Sequence, residues 1–449
     1  MDTFYIRKGR NIKLKGAASK KIVEAPLPAK IAISPADFRG LKLRPEVREG
    51  DYVKVGSPLL SDKTHPNVKI VSPVSGKVAA LNRGEKRVLL QIVVQPDGKQ
   101  DALSLRPFLR DELAACPRAA IVEQLLTGGL WPVLRQRPFS KVASPDDIPK
   151  SIFVHAMNTE PLALDVDFIL SDKKDPFQAG LDVIRLLTKG DVHLCFDAQA
   201  QSKALTEAKG VKLHRFSGPH PSGNVSTHIH AIDPIGKGDI VWYLEAQDVL
   251  RIAVLFLKGV HCPQRWVAVT GEGVSQRVYK ETIIGVPFSS LLETSPSANM
   301  CYVSGSILSG TNDGPDGFLR YYDSQITVIP RGGKRELLGW LWPGFRKYSF
   351  SKTFVSSFLP QKEVSLDTDI HGSERAIVLN HIYDRYVPLD IMTFFLLRAV
   401  IAGEIEEAEK LGILECDEED FALCSFACPS KIDVGGIIRR GLELIEKEG

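Results

Sequence analysis

Gly50-Asp51-Tyr52-Val53-Lys54-Val55-Gly56-Ser57-Pro58-Leu59-Leu60, then Val68-Lys69-Ile70-Val71, then Ser72-Pro73-Val74-Ser75-Gly76-Lys77-Val78, is the stretch on which the fold reading turns. Val53 and Val55 alternate with polar neighbours, and Gly or Pro falls every few residues. Alternation with a period of two, broken by tight turns, is the pattern of short strands in a small β-barrel. Asp62-Lys63-Thr64 and His65-Pro66-Asn67 sit in the connection between two of these strands.

The 449 residues around this stretch suffice for roughly three domains with separate cores. A hydrophobic content of 44% and a charged content of 25% are ordinary for globular chains. The net charge of +3 is too small to argue for a nucleic-acid partner, and no Lys/Arg run exceeds a pair. The start lacks the apolar core of a signal peptide, and no apolar run reaches the ~18 residues of a spanning helix. A chain without a transmembrane segment, in a reducing compartment, is expected. The odd number of cysteines, seven, supports the second point.

Beyond Pro107 the grammar changes to alternating strands and helices. Residues 118–126 and 177–188 read as amphipathic helices, and residues 152–157, 192–196 and 211–216 as buried strands. This alternation implies parallel strands covered by helices, a Rossmann-like layer. Residues 140–151 read as a surface linker. Residues 261–330 read as strand, short helix and strand with glycine punctuation, and the tail from Pro388 as helical. The expected organisation is α+β / α/β multidomain. It comprises an N-terminal segment and barrel over 1–100, an α/β region over 101–258, a β region over 259–332 and a mostly helical region over 333–449.

Three segments carry candidate chemistry. Gly218-Pro219-His220-Pro221-Ser222-Gly223-Asn224-Val225-Ser226-Thr227-His228-Ile229-His230 holds three of the ten histidines. As a strand it would place His228 and His230 on one face, with His220 a third zinc ligand. No Cys, Asp or Glu lies within the segment, which favours a docking or structural loop. Trp340-Leu341-Trp342-Pro343-Gly344-Phe345 is an aromatic cluster suited to a core or to a partner-facing knob, core being preferred. Cys424-x-x-x-Cys428-Pro429 matches the end of a C-x2-C-x2-C-x3-C-P iron–sulfur run, but Phe421 and Glu418 occupy the other two ligand positions. Buried thiols, rather than a cluster, are expected.

Several of these segments resemble known families. Residues 50–78 resemble a biotinyl/lipoyl domain, in which Lys63 would be the modified lysine. Lys63 stands farther from Pro73 than that pattern sets, so a carrier role is the weakest reading. Thr127-Gly128-Gly129-Leu130-Trp131-Pro132 and Asn158-Thr159-Glu160-Pro161 resemble segments of the flavin-binding component of respiratory complex I and its Rnf relative. There a glycine-rich loop lets backbone N–H groups approach the FMN phosphate. Leu130 and Trp131 replace the small residues that such approach needs, which makes Gly128, Gly129 and Trp131 a vestigial flavin loop. Residues 261–330 resemble an SLBB-type β-grasp domain.

The order of these pieces resembles the NqrA family of sodium-translocating NADH:quinone oxidoreductases. The residues that carry the resemblance include Arg137-Pro138-Phe139-Ser140-Lys141-Val142, the histidine loop, Ser304-Gly305-Ser306-Ile307-Leu308-Ser309-Gly310 and Asp417-Glu418-Glu419-Asp420. The resemblance implies a peripheral protein on the cytoplasmic face of the bacterial inner membrane, docked on the membrane-embedded B subunit of a six-subunit complex. That complex reduces ubiquinone with NADH and exports sodium. FMN, FAD, riboflavin and iron–sulfur centres are expected in the other subunits and none in this one. Quinone contact, if made here, would involve His220, His228 and His230 or the 340–345 cluster. The alternative is an FMN- and NADH-binding electron carrier like the complex I relative.

Overall fold

The structure is a computed structural model that describes all residues except 114, 294–296, 334–337, 346, 351, 360–362, 379–380 and 449, and the side chain of 340.

The β grammar around residue 60 builds two facing antiparallel sheets. One orders Ile31–Ile33, Leu89–Pro96, Gly76–Arg83 and Tyr52–Val53; the other orders Leu43–Pro45, Pro58–Asp62 and Lys69–Val71. Val53, Leu60, Ile70, Val78 and Ile92 fill the space between them. Gly76 is required, because a Cβ there would stand 2.0 Å from the Gln95 carbonyl oxygen. The buried Asp62 carboxylate accepts the N–H groups of Lys42 (2.7 Å) and His65 (2.8 Å), closing the hairpin, while Lys63 is exposed beyond it.

The α/β region forms a seven-stranded sheet ordered Asp2–Tyr5, Lys212–Ser217, Asp191–Asp197, Ser151–Ala156, Val241–Glu245, Arg135–Arg137, Lys141–Val142. The first five run parallel and the last two antiparallel. Successive side chains point to opposite faces, and the central strands Ser151–Ala156 and Val241–Glu245 bury both. Ile152, Val154, Leu194 and Leu244 join the core beneath helices Lys174–Ile184 and Ala246–Lys258. Phe153, Cys195, Phe216 and Tyr243 point the other way, toward helix Val225–Ile232.

The third region is a six-stranded mixed sheet: Thr311–Asn312, Met300–Ser304, Gln325–Pro330, Gln264–Thr270, Val278–Ile283, Ser19–Glu24. The segment ahead of the barrel therefore pairs elsewhere. Asp2–Tyr5 edges the α/β sheet and Ser19–Glu24 edges this one, both in parallel. The C-terminal region gathers helices Thr393–Ala402, Ile405–Lys410, Ala422–Ala427 and Val434–Glu448 around their own core. Among the described residues no helix is long and apolar enough to cross a membrane.

Four local expectations are corrected. Residues 140–151 are not simply a surface linker: Lys141–Val142 adds a strand, and Ser140, Val142 and Ala143 are buried. Pro388 does not open a helix, which begins at Thr393. The 341–345 cluster is not core, since Trp342 is 65% and Phe345 63% exposed; the Trp340 side chain lies outside the described residues. The segment 225–230 is helix, not strand: Val225–Ile232 follows Asn224, whose extended backbone (φ −80°, ψ 147°) stands at the N-cap position.

Candidate functional site: a polar junction between four regions

A charged interior lies where the C-terminal helices meet the antiparallel edge of the α/β sheet. Arg137 is completely buried. Its Nη2 donates to Glu419 Oε1 at 3.0 Å and lies 3.2 Å from Asp417 Oδ2, which also accepts from Ser140 Oγ at 2.7 Å. Arg439 donates to the Phe139 carbonyl at 3.0 and 3.2 Å and stands 4.0 Å from Asp417 Oδ1. Asp417 and Asp420 form a reciprocal cap on the turn Glu418–Phe421, and Asn224 Nδ2 donates to Asp420 Oδ1 at 3.1 Å.

A buried charge needs a partner. Burial alone would push the Asp417 carboxyl up; Arg137, Arg439 and Arg39 outweigh it and hold the group well below the usual carboxylate range. Glu419 goes the other way, with burial outweighing Arg137 and pushing its carboxyl up to about 7. Arg135 lies 4.8 Å over the rings of both Tyr243 and Tyr322.

The histidine loop borders this junction, but its imidazoles do not converge. On a helix, residues two apart point about 200° away from each other. The His228 ring contacts the Ser222 carbonyl (3.0 Å), and His230 turns outward to Glu415 (2.5 Å). His220 donates its N–H to Asn11 (2.7 Å) and sets its ring 3.1 Å from Thr159 Oγ1. Burial pushes His220 down to about 4 and His228 well below the usual value, whereas the hydrogen bond to Glu415 raises His230. Among the described residues no group of three His, Cys, Asp or Glu is placed to hold a metal ion. The loop fastens the α/β sheet to the N-terminal and C-terminal segments.

Sequence reasoning missed His155 at the end of a parallel strand. Its Nδ1 meets Glu245 at 3.0 Å on the adjacent strand, and its Nε2 meets the Gly223 carbonyl. Burial lowers this imidazole, but Glu245 outweighs that and raises it to about 9. The pair sits between strands Ser151–Ala156 and Val241–Glu245, where the strand order reverses and α/β sheets open a crevice. A histidine inside an apolar strand was the only local signal.

The glycine loop is not a phosphate cradle. Gly128, Gly129 and Leu130 donate their N–H groups to Gln124, Leu126 and Leu125 of helix Arg118–Thr127. They cap the end of that helix that carries free carbonyls, whereas a phosphate needs the other end. A Cβ on Gly129 would stand 2.3 Å from Val71 of the barrel. Leu130 and Trp131 are fully buried, with Trp131 Nε1 donating to the Ala143 carbonyl at 2.7 Å and its ring edge-on to Trp242. These residues therefore do not fit an FMN phosphate; they join barrel and sheet. Thr159 and Glu160, from the other flavin-like segment, are occupied by the Gly223 N–H (3.0 Å) and the Ser306 hydroxyl (2.9 Å).

Cys424 and Cys428 are fully buried beside Tyr383, whose hydroxyl lies 3.1 Å from Cys428 Sγ. Phe421 packs in the helical core, and Glu418 pairs with Arg39 of the barrel. Phe421, Cys424 and Cys428 thus share the helical core, while Glu418 faces away to the barrel.

A family model described as the NqrA N-terminal barrel-sandwich hybrid domain matches residues 4–97, and one described as the NqrA second alpha/beta domain matches residues 116–261. The A subunit of the Na(+)-translocating NADH-quinone reductase of Yersinia pseudotuberculosis serotype O:1b is 39% identical over 448 residues, covering 99% of this chain and 99% of the relative. The corresponding proteins of Klebsiella pneumoniae and Neisseria meningitidis serogroup A are also 39% identical, again with 99% of both chains covered. The barrel, the α/β sheet and the helices thus come from one lineage, and the chain belongs to the NqrA family, the A subunits of Na(+)-translocating NADH-quinone reductases.

Proposed function

We propose that this chain is a structural component of a Na(+)-translocating NADH-quinone reductase, an enzyme complex that reduces ubiquinone with NADH and exports sodium, and that it holds no redox centre of its own. The observation that carries the non-redox part is the glycine loop. Its N–H groups are spent capping a helix C-terminus, and its side chains are spent as packing between barrel and sheet. The chain contributes architecture, and catalysis belongs to the complex.

The finer reading follows the family. The parallel sheet is a Rossmann-like layer, the third region an SLBB-type β-grasp domain, and the chain docks peripherally on the membrane-embedded B subunit at the cytoplasmic face of a six-subunit complex. FMN, FAD, riboflavin and iron–sulfur centres reside in the other subunits. The exposed Trp342 and Phe345 support an apolar contact with a partner, and they, not the buried His220, are the better candidates for meeting quinone.

The test is an absorption spectrum with flavin and iron analysis of the chain purified alone under anaerobic conditions. A colourless protein is expected. Stoichiometric flavin or iron would overturn the non-redox reading and make the chain an electron carrier.

A further inference from the structure

Between the third region and the C-terminal helices the composition changes abruptly. From Leu337 to Lys362 the sequence holds seven aromatic residues, four cations (Arg346, Lys347, Lys352 and Lys362) and no Asp or Glu. Elsewhere carboxylates are plentiful, 54 among 449 residues, so their absence is a bias of this segment. Arg346, Lys362 and the Trp340 side chain lie outside the described residues. Of the others, Leu341, Trp342, Phe345 and Phe358 are exposed, Phe358 to 82%. Large apolar side chains gathered on one exposed unit mark a contact surface.

The unit turns these side chains outward by spending polar groups inward. Val355 N–H donates to the Pro343 carbonyl at 2.9 Å. Lys347 donates its N–H to Gly344 at 3.1 Å and its ammonium to the Gly339 carbonyl at 2.8 Å. Ser356 is buried, and its hydroxyl donates to the Lys347 carbonyl. Gly344, at φ +66°, lets the Phe354 ring close on it, since a Cβ would stand 2.5 Å from that ring. Residues 338–345 and 354–359 are thereby tied together. Phe350 anchors them to the molecule, edge-on to Phe426 and 4.4 Å beneath the Arg10 guanidinium.

Charge decides what covers this surface. Lys352, two residues ahead of Phe354, is exposed and forms no ion pair among the described residues. Residues 6–15 run beside the unit, Arg10 donating to the Phe350 carbonyl at 2.5 Å and Lys15 N–H to the Val364 carbonyl at 2.8 Å. They add Arg7, Lys8, Arg10, Lys13 and Lys15, again without Asp or Glu; Lys15 is taken by Glu272. A second copy of this surface would set cations against cations. Aromatic rings among cations of one sign instead match the headgroup layer of an anionic bilayer, where rings sit at the apolar boundary and ammonium groups meet phosphate. We propose that Leu341, Trp342, Phe345 and Phe358 insert into the surface of an anionic phospholipid bilayer, with Lys352 meeting its phosphates. Such a contact rests on the peripheral reading and adds lipid to the surfaces that hold the chain at the membrane.

The experiment is flotation of the full chain with vesicles of phosphatidylcholine and phosphatidylglycerol in equal parts, against vesicles of phosphatidylcholine alone. Binding to the anionic vesicles is expected, and about tenfold weaker binding to the neutral ones. Trp131, Trp242 and Trp266 are buried, so acyl-brominated lipid should quench only part of the tryptophan emission. The double variant Trp342→Ser, Phe345→Ser should weaken vesicle binding about a hundredfold, the loss of two inserted rings. Lys352→Gln should weaken it about fivefold. All three side chains are exposed, so the variants should unfold at the wild-type temperature. No flotation with anionic vesicles, or flotation unchanged in the double variant, would overturn the proposal. If vesicles are ignored while the detergent-solubilised remainder of the complex captures the chain, and loses it in the double variant, the surface belongs to a protein. The lipid contact then falls and the peripheral reading stands.

Discussion

Two joints hold the α/β sheet to its neighbours, and they use opposite physics. At the Gly128–Trp131 loop the barrel is attached by steric fit: an indole without exposed surface, a glycine against Val71 and backbone N–H groups capping a helix. At Arg137 the C-terminal helices are attached by charge, through one buried guanidinium, the buried Asp417 carboxylate, the partly exposed Glu419 and a serine hydroxyl. Apolar packing is insensitive to pH, whereas a joint that contains titrating carboxyls changes its stability as they gain or lose protons. The barrel joint should therefore be constant and the C-terminal joint conditional.

The largest expected effect comes from Arg137→Ala, which strands Asp417 and Glu419 without their cation. A loss of about 4–5 kcal/mol is expected at pH 8 by denaturant unfolding. At pH 5 the loss shrinks, because Glu419 is then protonated. Next is Trp131→Ala, expected to cost about 3–4 kcal/mol through the cavity it leaves. That cost should be equal at pH 5 and pH 8. If both variants respond to pH alike, the contrast between the joints is broken.

His155→Gln sharpens the comparison at the strand-order reversal. The folded imidazole titrates at about 9, above its ordinary value of 6.5, so its contribution is complete below about 6.5 and fades as pH rises through 9. It amounts to about 2 kcal/mol after allowing for solvent at the partly exposed Glu245. Wild-type stability should decline over that window while the variant's stays flat, and parallel curves would refute the assignment. The smallest effect belongs to Glu419→Gln. Its raised carboxyl favours the folded state below 4.5 and loses that contribution as pH rises through 7. The substitution should flatten a slope of about 1 kcal/mol, discounted because the side chain is 35% exposed.

Much of the fold could be read locally. Strands at 152–156, 192–196 and 212–216 and helices at 118–127 and 177–184 follow directly from where apolar residues recur. The histidine segment is ambiguous because Pro and Gly before Asn224 obscure where a helix starts, and His-Ile-His fits either period. The exposed Trp342 and Phe345 defeat a core assignment because size and apolarity say nothing about which side of a chain a partner covers. The charged joint was legible only as two separate phrases, Arg137 to Lys141 and Asp417 to Asp420, with no indication that they touch.

The sequence by itself determined the periodicities, and so the barrel, the alternating sheet and the helical tail. The order of its motifs also placed the chain among its relatives. Each of those signals is local, since a strand or helix records its environment within a few residues. Only the tertiary structure decided that Arg137 meets Glu419 across 282 residues, that His155 is charged by Glu245, and that a glycine loop caps a helix instead of cradling a phosphate. Burial and Coulomb's law act through space, and the energy of a charge is set by what folding brings beside it.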